Sequence, residues 1–214
     1  MTPLFPVWTN AVVRACLGIG AAGVVGVPLF LLGLARAPYT TYQFDPIDQP
    51  VQFDHRHHVR DEGISCLYCH YTAKDSPSAG MPPTSLCMNC HSQVWNAATA
   101  LTPIRRSYFT DQPIVWNRVH NLPDFVYFDH SAHVARGVGC ESCHGRVDLM
   151  GLVYAEAPLT MSWCVDCHRD PDMHIRPKSE VTVMGWKPGA PEEQAKRARE
   201  SGIAPPTHCT GCHR

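Results

Sequence analysis

The pattern C-x-x-C-H occurs five times in this 214-residue chain, and its spacing suits one kind of chemistry. Two thiols separated by two residues reach the two vinyl groups on adjacent edges of one porphyrin. The histidine that follows then lies over the ring and ligates its iron. The pattern therefore predicts five covalently attached haem c groups.

This prediction assigns two sets of residues. The attachment cysteines are Cys66 and Cys69, Cys87 and Cys90, Cys140 and Cys143, Cys164 and Cys167, and Cys209 and Cys212. The proximal iron ligands are His70, His91, His144, His168 and His213. Zinc sites do not require a histidine after each C-x-x-C pair, and disulfide scaffolds have no such fixed spacing. Ten of the eleven cysteines lie in the five motifs, which favours haem over both alternatives.

An internal repeat surrounds the first and third motifs. Residues 53–70 read FDHRHHVRDEGISCLYCH, and residues 128–144 read FDHSAHVARGVGCESCH. The copies share F-D-H-x-x-H-V, a glycine and C-x-x-C-H, and the second copy is one residue shorter. Histidines three residues apart lie on one face of a short helix, from which they reach two closely spaced irons. The repeat predicts four distal iron ligands, which are His55, His58, His130 and His133.

The fifth distal ligand must come from outside the repeat. We predict His120, which lies just upstream of the second copy. The alternatives are His174, Met161 and Met184, and a methionine ligand would raise the potential of that haem. With two ligands on every iron no position stays open for a substrate. The pattern therefore favours electron transfer over catalysis at iron, and it predicts no catalytic residue.

The polypeptide around the motifs has little regular periodicity, because 19 prolines and 15 glycines interrupt it. A chain with so many cofactors cannot build an ordinary side-chain core, so the porphyrin faces must form the core. The predicted fold is a multihaem cytochrome c. It has one N-terminal transmembrane helix, followed by a mostly irregular, short-helix domain wrapped around five haems. The net charge of -1 gives no indication of nucleic-acid binding.

An apolar segment near the N-terminus is the longest feature of the sequence. Residues 15–35 carry no charged side chain, and a helix of this length spans roughly 30 Å, the thickness of a bilayer core. A signal peptide has a shorter apolar region of about 7–15 residues, and a buried soluble helix is the other alternative. We predict a transmembrane anchor at 1–36, a linker at 37–52 and a pentahaem cytochrome c domain at 53–214. Small residues on one face of the anchor favour packing against other membrane helices; they are Gly18, Ala22 and Gly26.

The histidine repeat with its C-x-x-C-H motifs resembles the small multihaem cytochromes of the c7/c3 type. The whole chain is more similar to the pentahaem membrane subunit of alternative complex III. Besides the anchor, the matching segments are FDHRHHVRDEGISCLYCH, AGMPPTSLCMNCH (79–91), IVWNRVHNLPDFVYFDHSAHV (114–134) and MSWCVDCHRDP (161–171). They cover most of residues 53–171, and the tail matches mainly through its final C-x-x-C-H. Related sequences also occur in membrane oxidoreductase complexes of the molybdopterin type.

The resemblance implies an electron-relay subunit of a respiratory or photosynthetic membrane complex that oxidises quinol and reduces a periplasmic acceptor. The implied partners are integral-membrane quinol-binding subunits, an iron–sulfur subunit and a monohaem cytochrome c. The implied location is the cell membrane, with a single pass and the haem domain on the periplasmic side. Two other functions stay open, a stand-alone membrane-anchored quinol dehydrogenase and a multihaem reductase.

Overall fold

The computed structural model describes residues 4–214, and the chain divides into two compact units, Met1–Tyr42 and Gln43–Arg214. The first unit contains helix α1, Thr9–Arg36, and the short helix α2, Pro38–Thr41. Helix α1 ends at Arg36 because Ala37 precedes a proline, and a residue in that position favours extended backbone. Ala37 has φ -69° and ψ 146°, as this rule requires.

Helix α1 is long and apolar enough to cross a membrane, with a mean hydropathy of 2.2 in its most apolar window. None of its residues is buried. Pro28 lies inside the helix, a position that membrane helices tolerate. A signal sequence near the N-terminus can also form such an apolar helix, so α1 is either a membrane anchor or a signal sequence. The predicted boundaries of the anchor, linker and haem domain stay predictions.

The second unit is built from short helices, as the sequence predicts. Its α-helices are α3 Cys66–Cys69, α4 Thr84–His91, α5 Thr102–Thr110, α6 His130–Ala135, α7 Glu141–His144, α8 Met161–Arg169 and α9 Pro191–Glu200. Its 3-10 turns are Tyr71–Lys74, Thr99–Leu101, Val147–Leu149, Asp172–His174, Lys178–Glu180 and Cys209–Gly211. Over residues 4–214 there is no strand, and three isolated bridges join Gln43 to Ala155, Val126 to His213 and Val138 to Ile175.

The side-chain core of this unit is sparse. Its buried apolar residues are mainly alanine and valine; in the described chain they are Val51, Ala73, Ile104, Met150, Ala155, Ala157, Ile175, Val181 and Ala198. So few and such small side chains bury little apolar surface for a unit of this length. The polypeptide therefore leaves room for other apolar material between its helices.

The two copies of the repeat begin with different kinds of helix. The second copy forms the α-helix α6, and the first forms a π-helix, Arg56–Asp61, in which Glu62 N donates to His57 O. A π-turn holds one more residue than an α-turn. The additional residue of the first copy is absorbed in this way, between its second histidine and its glycine.

Candidate functional site

The two repeat helices hold their second histidine in the same way. Nδ1 of His58 lies 2.9 Å from the carbonyl oxygen of Asp54, and Nδ1 of His133 lies 2.7 Å from that of Asp129. A carbonyl oxygen only accepts, so each Nδ1 donates its proton and each Nε2 keeps its lone pair. Both rings are thereby prepared to bind a metal ion through Nε2.

The phenylalanine that opens each copy contacts both of its histidines. Phe53 stacks on His58 with ring centres 4.3 Å apart, and Phe128 stacks on His133 at 4.6 Å. Each phenylalanine also meets the first histidine of its copy edge-on, at 4.8 and 4.7 Å. These two rings position the predicted ligands. The motif spacing alone does not reveal this role, although the place of each phenylalanine in the repeat was a signal for it.

Five more predicted ligands donate from Nδ1 to a backbone carbonyl oxygen. The acceptors are Gly80 for His70 (2.9 Å), Val94 for His91 (3.1 Å), Pro206 for His168 (2.7 Å), Phe125 for His213 (3.3 Å) and Pro77 for His130 (2.8 Å). With the two repeat histidines above, seven of the ten predicted ligands in the described chain have a free Nε2. Backbone hydrogen bonds therefore fix the orientation of these imidazoles.

The fold brings proximal and distal histidines together in pairs. The ring centres are 6.2 Å apart for His58 and His91, 6.3 Å for His130 and His144, and 6.1 Å for His133 and His168. A metal–imidazole bond is about 2 Å long and the ring centre lies about 1 Å behind the nitrogen, so one metal ion between two imidazoles separates the ring centres by about 6 Å. The three pairs have the spacing of bis-histidine ligation.

The first histidine of the first copy, His55, lies near the proximal His70. Burial lowers the pKa of His55 to about 4, and the neighbouring His70 contributes to the shift. Burial likewise lowers the pKa of His144 to about 3. Both rings are therefore neutral near pH 7, which is the form that ligates a metal ion.

His120 lies beside the third motif. Its ring centre is 4.3 Å from that of His144, and its Nε2 is buried with no hydrogen-bond partner among the described residues. The fifth-motif histidine, His213, instead has the ring of Phe125 at 5.7 Å. The structure thus brings His120 to a motif other than the fifth, and the distal ligand of the fifth motif stays a prediction.

The three alternative ligands are spread over the second unit. Met184 lines a cavity of about 350 Å³ beside Cys66 of the first motif. Met161 begins α8 and is exposed, and His174 ends a 3-10 turn. No contact with His213 in the described chain distinguishes any of them.

Contacts between the motifs link them in space. Cys140 N of the third motif donates to Val181 O at 2.9 Å, and Cys66 Sγ of the first lies 4.0 Å from Thr182 O. The neighbouring Cys140 thiol lowers the pKa of the Cys66 thiol. The fourth and fifth motifs are joined by the contact between His168 and Pro206, three residues before Cys209. The eleven cysteines of the described chain are all free.

These features fit haem better than a bare metal ion. Within residues 4–214, no three side chains of histidine, cysteine, aspartate or glutamate converge to hold an ion. Paired imidazoles with free Nε2 atoms, paired free thiols and a sparse core all suit a large apolar ring with two axial ligands. The residues present therefore fit covalent haem c.

Two comparisons with known proteins agree with this chemistry. Residues 126–214 match the family described as cytochrome c7 and related cytochrome c. Over 98 residues the chain is 35% identical to the menaquinone reductase, multiheme cytochrome c subunit, of Nitratidesulfovibrio vulgaris (strain Hildenborough). That match covers 45% of this chain and 46% of the relative, so the chain spans about half the length of the curated relative it matches. With the motifs, these similarities support a multihaem c-type cytochrome, which carries covalent haem c and transfers electrons.

Proposed function

We propose that the chain attaches five haem c groups and relays electrons within a membrane complex that exchanges electrons with the quinone pool. The observation that carries this proposal is the pairing of imidazoles with ring centres 6.1 to 6.3 Å apart. An iron with two axial imidazoles has no position for a substrate. The pairing therefore supports electron transfer and not catalysis at these sites.

The chain's own residues hold the haems in three ways. The ten motif cysteines would form the thioether bonds, and the five motif histidines would ligate iron. The repeat histidines His55, His58, His130 and His133 would supply the second ligand of four irons. His120 is the proposed fifth distal ligand, and its ring lies beside His144 and not beside His213. Backbone carbonyls keep the protons on Nδ1, so that Nε2 is available to iron. When bound, each haem supplies an iron that takes up and releases one electron.

Contacts between motifs support a continuous relay. The π-helix Arg56–Asp61 and the preceding His55 carry the proposed distal ligands of the first and second motifs. Helix α6 carries those of the third and fourth. The first and third motifs meet at Val181 and Thr182, and the fifth adjoins the fourth through Pro206. We infer that the motifs follow one another in the order second, first, third, fourth and fifth.

Intact-mass measurement of the purified protein tests the haem number. We expect a mass increment of five haems for the natural sequence. Replacement of Cys209 and Cys212 by alanine removes one haem, whereas Cys16→Ala, outside the motifs, removes none. Five haems in the double variant would contradict the assignment of the last motif.

Two host complexes are supported by different observations. The resemblance to alternative complex III supports quinol oxidation, with quinol-binding subunits, an iron–sulfur subunit and a monohaem cytochrome c as partners. The relative from Nitratidesulfovibrio vulgaris is named as a menaquinone reductase subunit, which supports electron flow towards quinone in a second candidate complex. The subunits that co-purify in mild detergent, and the direction in which the complex reacts with quinone or quinol, distinguish the two.

Two other functions predict different outcomes. A stand-alone quinol dehydrogenase oxidises quinol as a purified single chain, and a multihaem reductase has a high-spin haem in its resting state. The relay subunit that we propose does neither. Quinol oxidation assays and the resting spectrum of the isolated chain therefore decide among the three.

We further propose that α1 stays in the membrane and that the haem domain faces the periplasm. Haem c is attached on the exported side, and α1 is long enough to span a bilayer. Protease added to intact spheroplasts should digest the haem domain, and complete protection would contradict this orientation.

We propose that α1 also packs against helices of partner subunits, through Gly18, Ala22 and Gly26. A Cβ at Gly18 or Gly26 meets no other atom within 4 Å, so larger residues fit the isolated helix. Leucine at Ala22 and Gly26 should weaken co-purification with the partners and leave the haem content intact. Full retention of the double variant in the complex would contradict this packing.

A further inference from the structure

Arg176 is a cation buried beside the third motif. Its side chain is 4% exposed, and its Cζ lies 4.7 Å from the ring centre of Trp186. Its Nη1 donates to Val183 O at 2.7 Å, but its Nε is buried with no hydrogen-bond partner among the described residues. Burying a charge costs free energy unless it is paired. The buried guanidinium therefore depends on its carbonyl acceptor and on the nearby carboxylate of Glu141.

The backbone before Cys140 has room for this side chain because residues 137 and 139 are glycines. A Cβ at Gly139 would overlap the guanidinium of Arg176, and a Cβ at Gly137 would overlap its carbonyl oxygen. Arg176 N also donates to Gly137 O at 2.9 Å. Because Gly139 directly precedes Cys140, the guanidinium lies against the backbone that carries an attachment thiol.

Glu141, directly after Cys140, is a counter-charge that Arg176 shares with Arg146, whose Nε lies 3.9 Å from Glu141 Oε1. Its Oε2 lies 3.7 Å from Nη2 of Arg176, and its side chain is 19% exposed. The same oxygen accepts from Gly185 N at 2.8 Å and from Trp186 N at 3.3 Å. A poorly hydrated cation and a poorly hydrated carboxylate therefore meet at the third motif.

We propose that Arg176 and Glu141 set the reduction potential of the haem attached at Cys140 and Cys143, with Arg176 raising it and Glu141 lowering it. This inference rests on the proposed attachment of haem at these cysteines. Reduction adds one electron at the iron, so a nearby cation stabilises the reduced form and a nearby carboxylate stabilises the oxidised form. The influence is strong because little water screens these buried charges.

A matched pair of arginine variants in the full chain tests the proposal. Arg176→Met removes the buried charge. Arg169→Met removes a charge directly after His168 of the fourth motif, where the side chain is 70% exposed and screened by water. In a spectroscopic redox titration, Arg176→Met should shift one haem transition to lower potential, and by more than it shifts any other. Arg169→Met should produce a clearly smaller shift. Equal shifts in the two variants, or no shift in Arg176→Met, would overturn the proposal.

Glu141→Gln provides a test of opposite sign. Glutamine keeps the shape of the side chain and an oxygen for Gly185 N and Trp186 N, so we expect the same transition to move to higher potential. Arg176→Lys keeps the charge and should lie closer to the natural protein than Arg176→Met does. If Arg176→Met fails to mature, Glu141→Gln decides, and an unchanged or lower potential overturns the inference.

Haem content distinguishes a failure of the proposed attachment from a failure of the proposed control of the reduction potential. A natural chain without haem at Cys140 and Cys143, found by mass analysis of the corresponding peptide, would contradict the proposed attachment. A chain with that haem but with potentials insensitive to Arg176 and Glu141 would contradict only this inference.

Discussion

The two copies of the repeat orient their second histidine through the same contacts. In both, a phenylalanine stacks on the second histidine, at 4.3 Å for Phe53 and 4.6 Å for Phe128. In both, Nδ1 of that histidine donates to the carbonyl oxygen of the preceding aspartate, Asp54 or Asp129. The motif F-D-H-x-x-H therefore encodes the orientation of its own imidazoles, within a span of six residues.

The surroundings of the two copies differ. His130 donates to Pro77 O from outside its own copy, whereas Nδ1 of His55 is buried with no partner among the described residues. The shared glycine has φ +84° at Gly137, against the carbonyl of Arg176, and φ +66° at Gly63, in open space. The geometry within the two copies is thus the same, whereas their tertiary environments differ. The same motif can therefore hold haems of different reduction potential.

The largest expected effect comes from removing the equivalent histidine of each copy. His58→Ala and His133→Ala each take away one proposed distal ligand, and the imidazole opposite is left alone on its iron. Each variant should convert one haem to the high-spin form while the other haems stay low-spin. Optical and electron paramagnetic resonance spectra check this in the purified chain.

The comparison between the copies predicts equal spectra for the two variants. His57→Ala is the matched control, because His57 lies in the same helix as His58 and is not a predicted ligand. A high-spin signal from only one of the two ligand variants would show that the copies are not equivalent. A high-spin signal from His57→Ala would show that His57, like His58, affects the ligation of iron.

The local features of the site could be predicted from the sequence, because they depend on short-range spacing. The five motifs and the two histidine pairs follow from residue types three or four positions apart, and the prediction of a short-helix chain is confirmed. The π-turn Arg56–Asp61 was not predicted, although the additional residue of the first copy was visible in the sequence.

Contacts between distant segments could not be predicted. The acceptors Gly80 and Pro206 lie 10 and 38 residues from the histidines that they orient. Arg176 carries a charge and has no motif around it, so its sequence indicates an exposed residue, yet its side chain is 4% exposed. His120 was assigned from its place in the chain, and only tertiary structure brings its ring to His144.

A smaller effect distinguishes the shared glycines. Gly63→Ala forces an alanine into the left-handed region in open space, which costs about 1 kcal/mol. Gly137→Ala has the same strain and also drives a Cβ into the backbone of Arg176, so we expect a cost of about 3 kcal/mol. For a chain of this size these costs lower the Tm by about 3 °C and about 10 °C.

Thermal unfolding of the purified variants, with equal haem content, measures this difference. Gly23→Ala in α1 is a control, because a Cβ there meets nothing within 4 Å and the backbone is helical. Equal losses of Tm for Gly63→Ala and Gly137→Ala would mean that the backbone before the third motif is not packed more tightly than the backbone before the first.

The smallest expected effect concerns the aspartates that begin the two repeat helices. The hydrogen bond from the Arg56 side chain is the main cause that lowers the pKa of Asp54 to about 2, from an ordinary value of 3.8. A carboxyl with a lowered pKa in the folded state stabilises the protein above its unfolded pKa, and this contribution is lost as the pH falls from about 4 through about 2.

The Asp54 and Arg56 side chains are 36% and 47% exposed, so solvent screening keeps the contribution small. Asp54→Asn should therefore lower the Tm slightly at pH 6, and most of the difference from the natural protein should be lost by about pH 2. Asp129→Asn is the matched variant, since Asp129 pairs with the hydroxyl of Ser131 and not with a cation. A difference for Asp54→Asn that persisted unchanged to pH 2 would show that the pair with Arg56 contributes nothing through its charge.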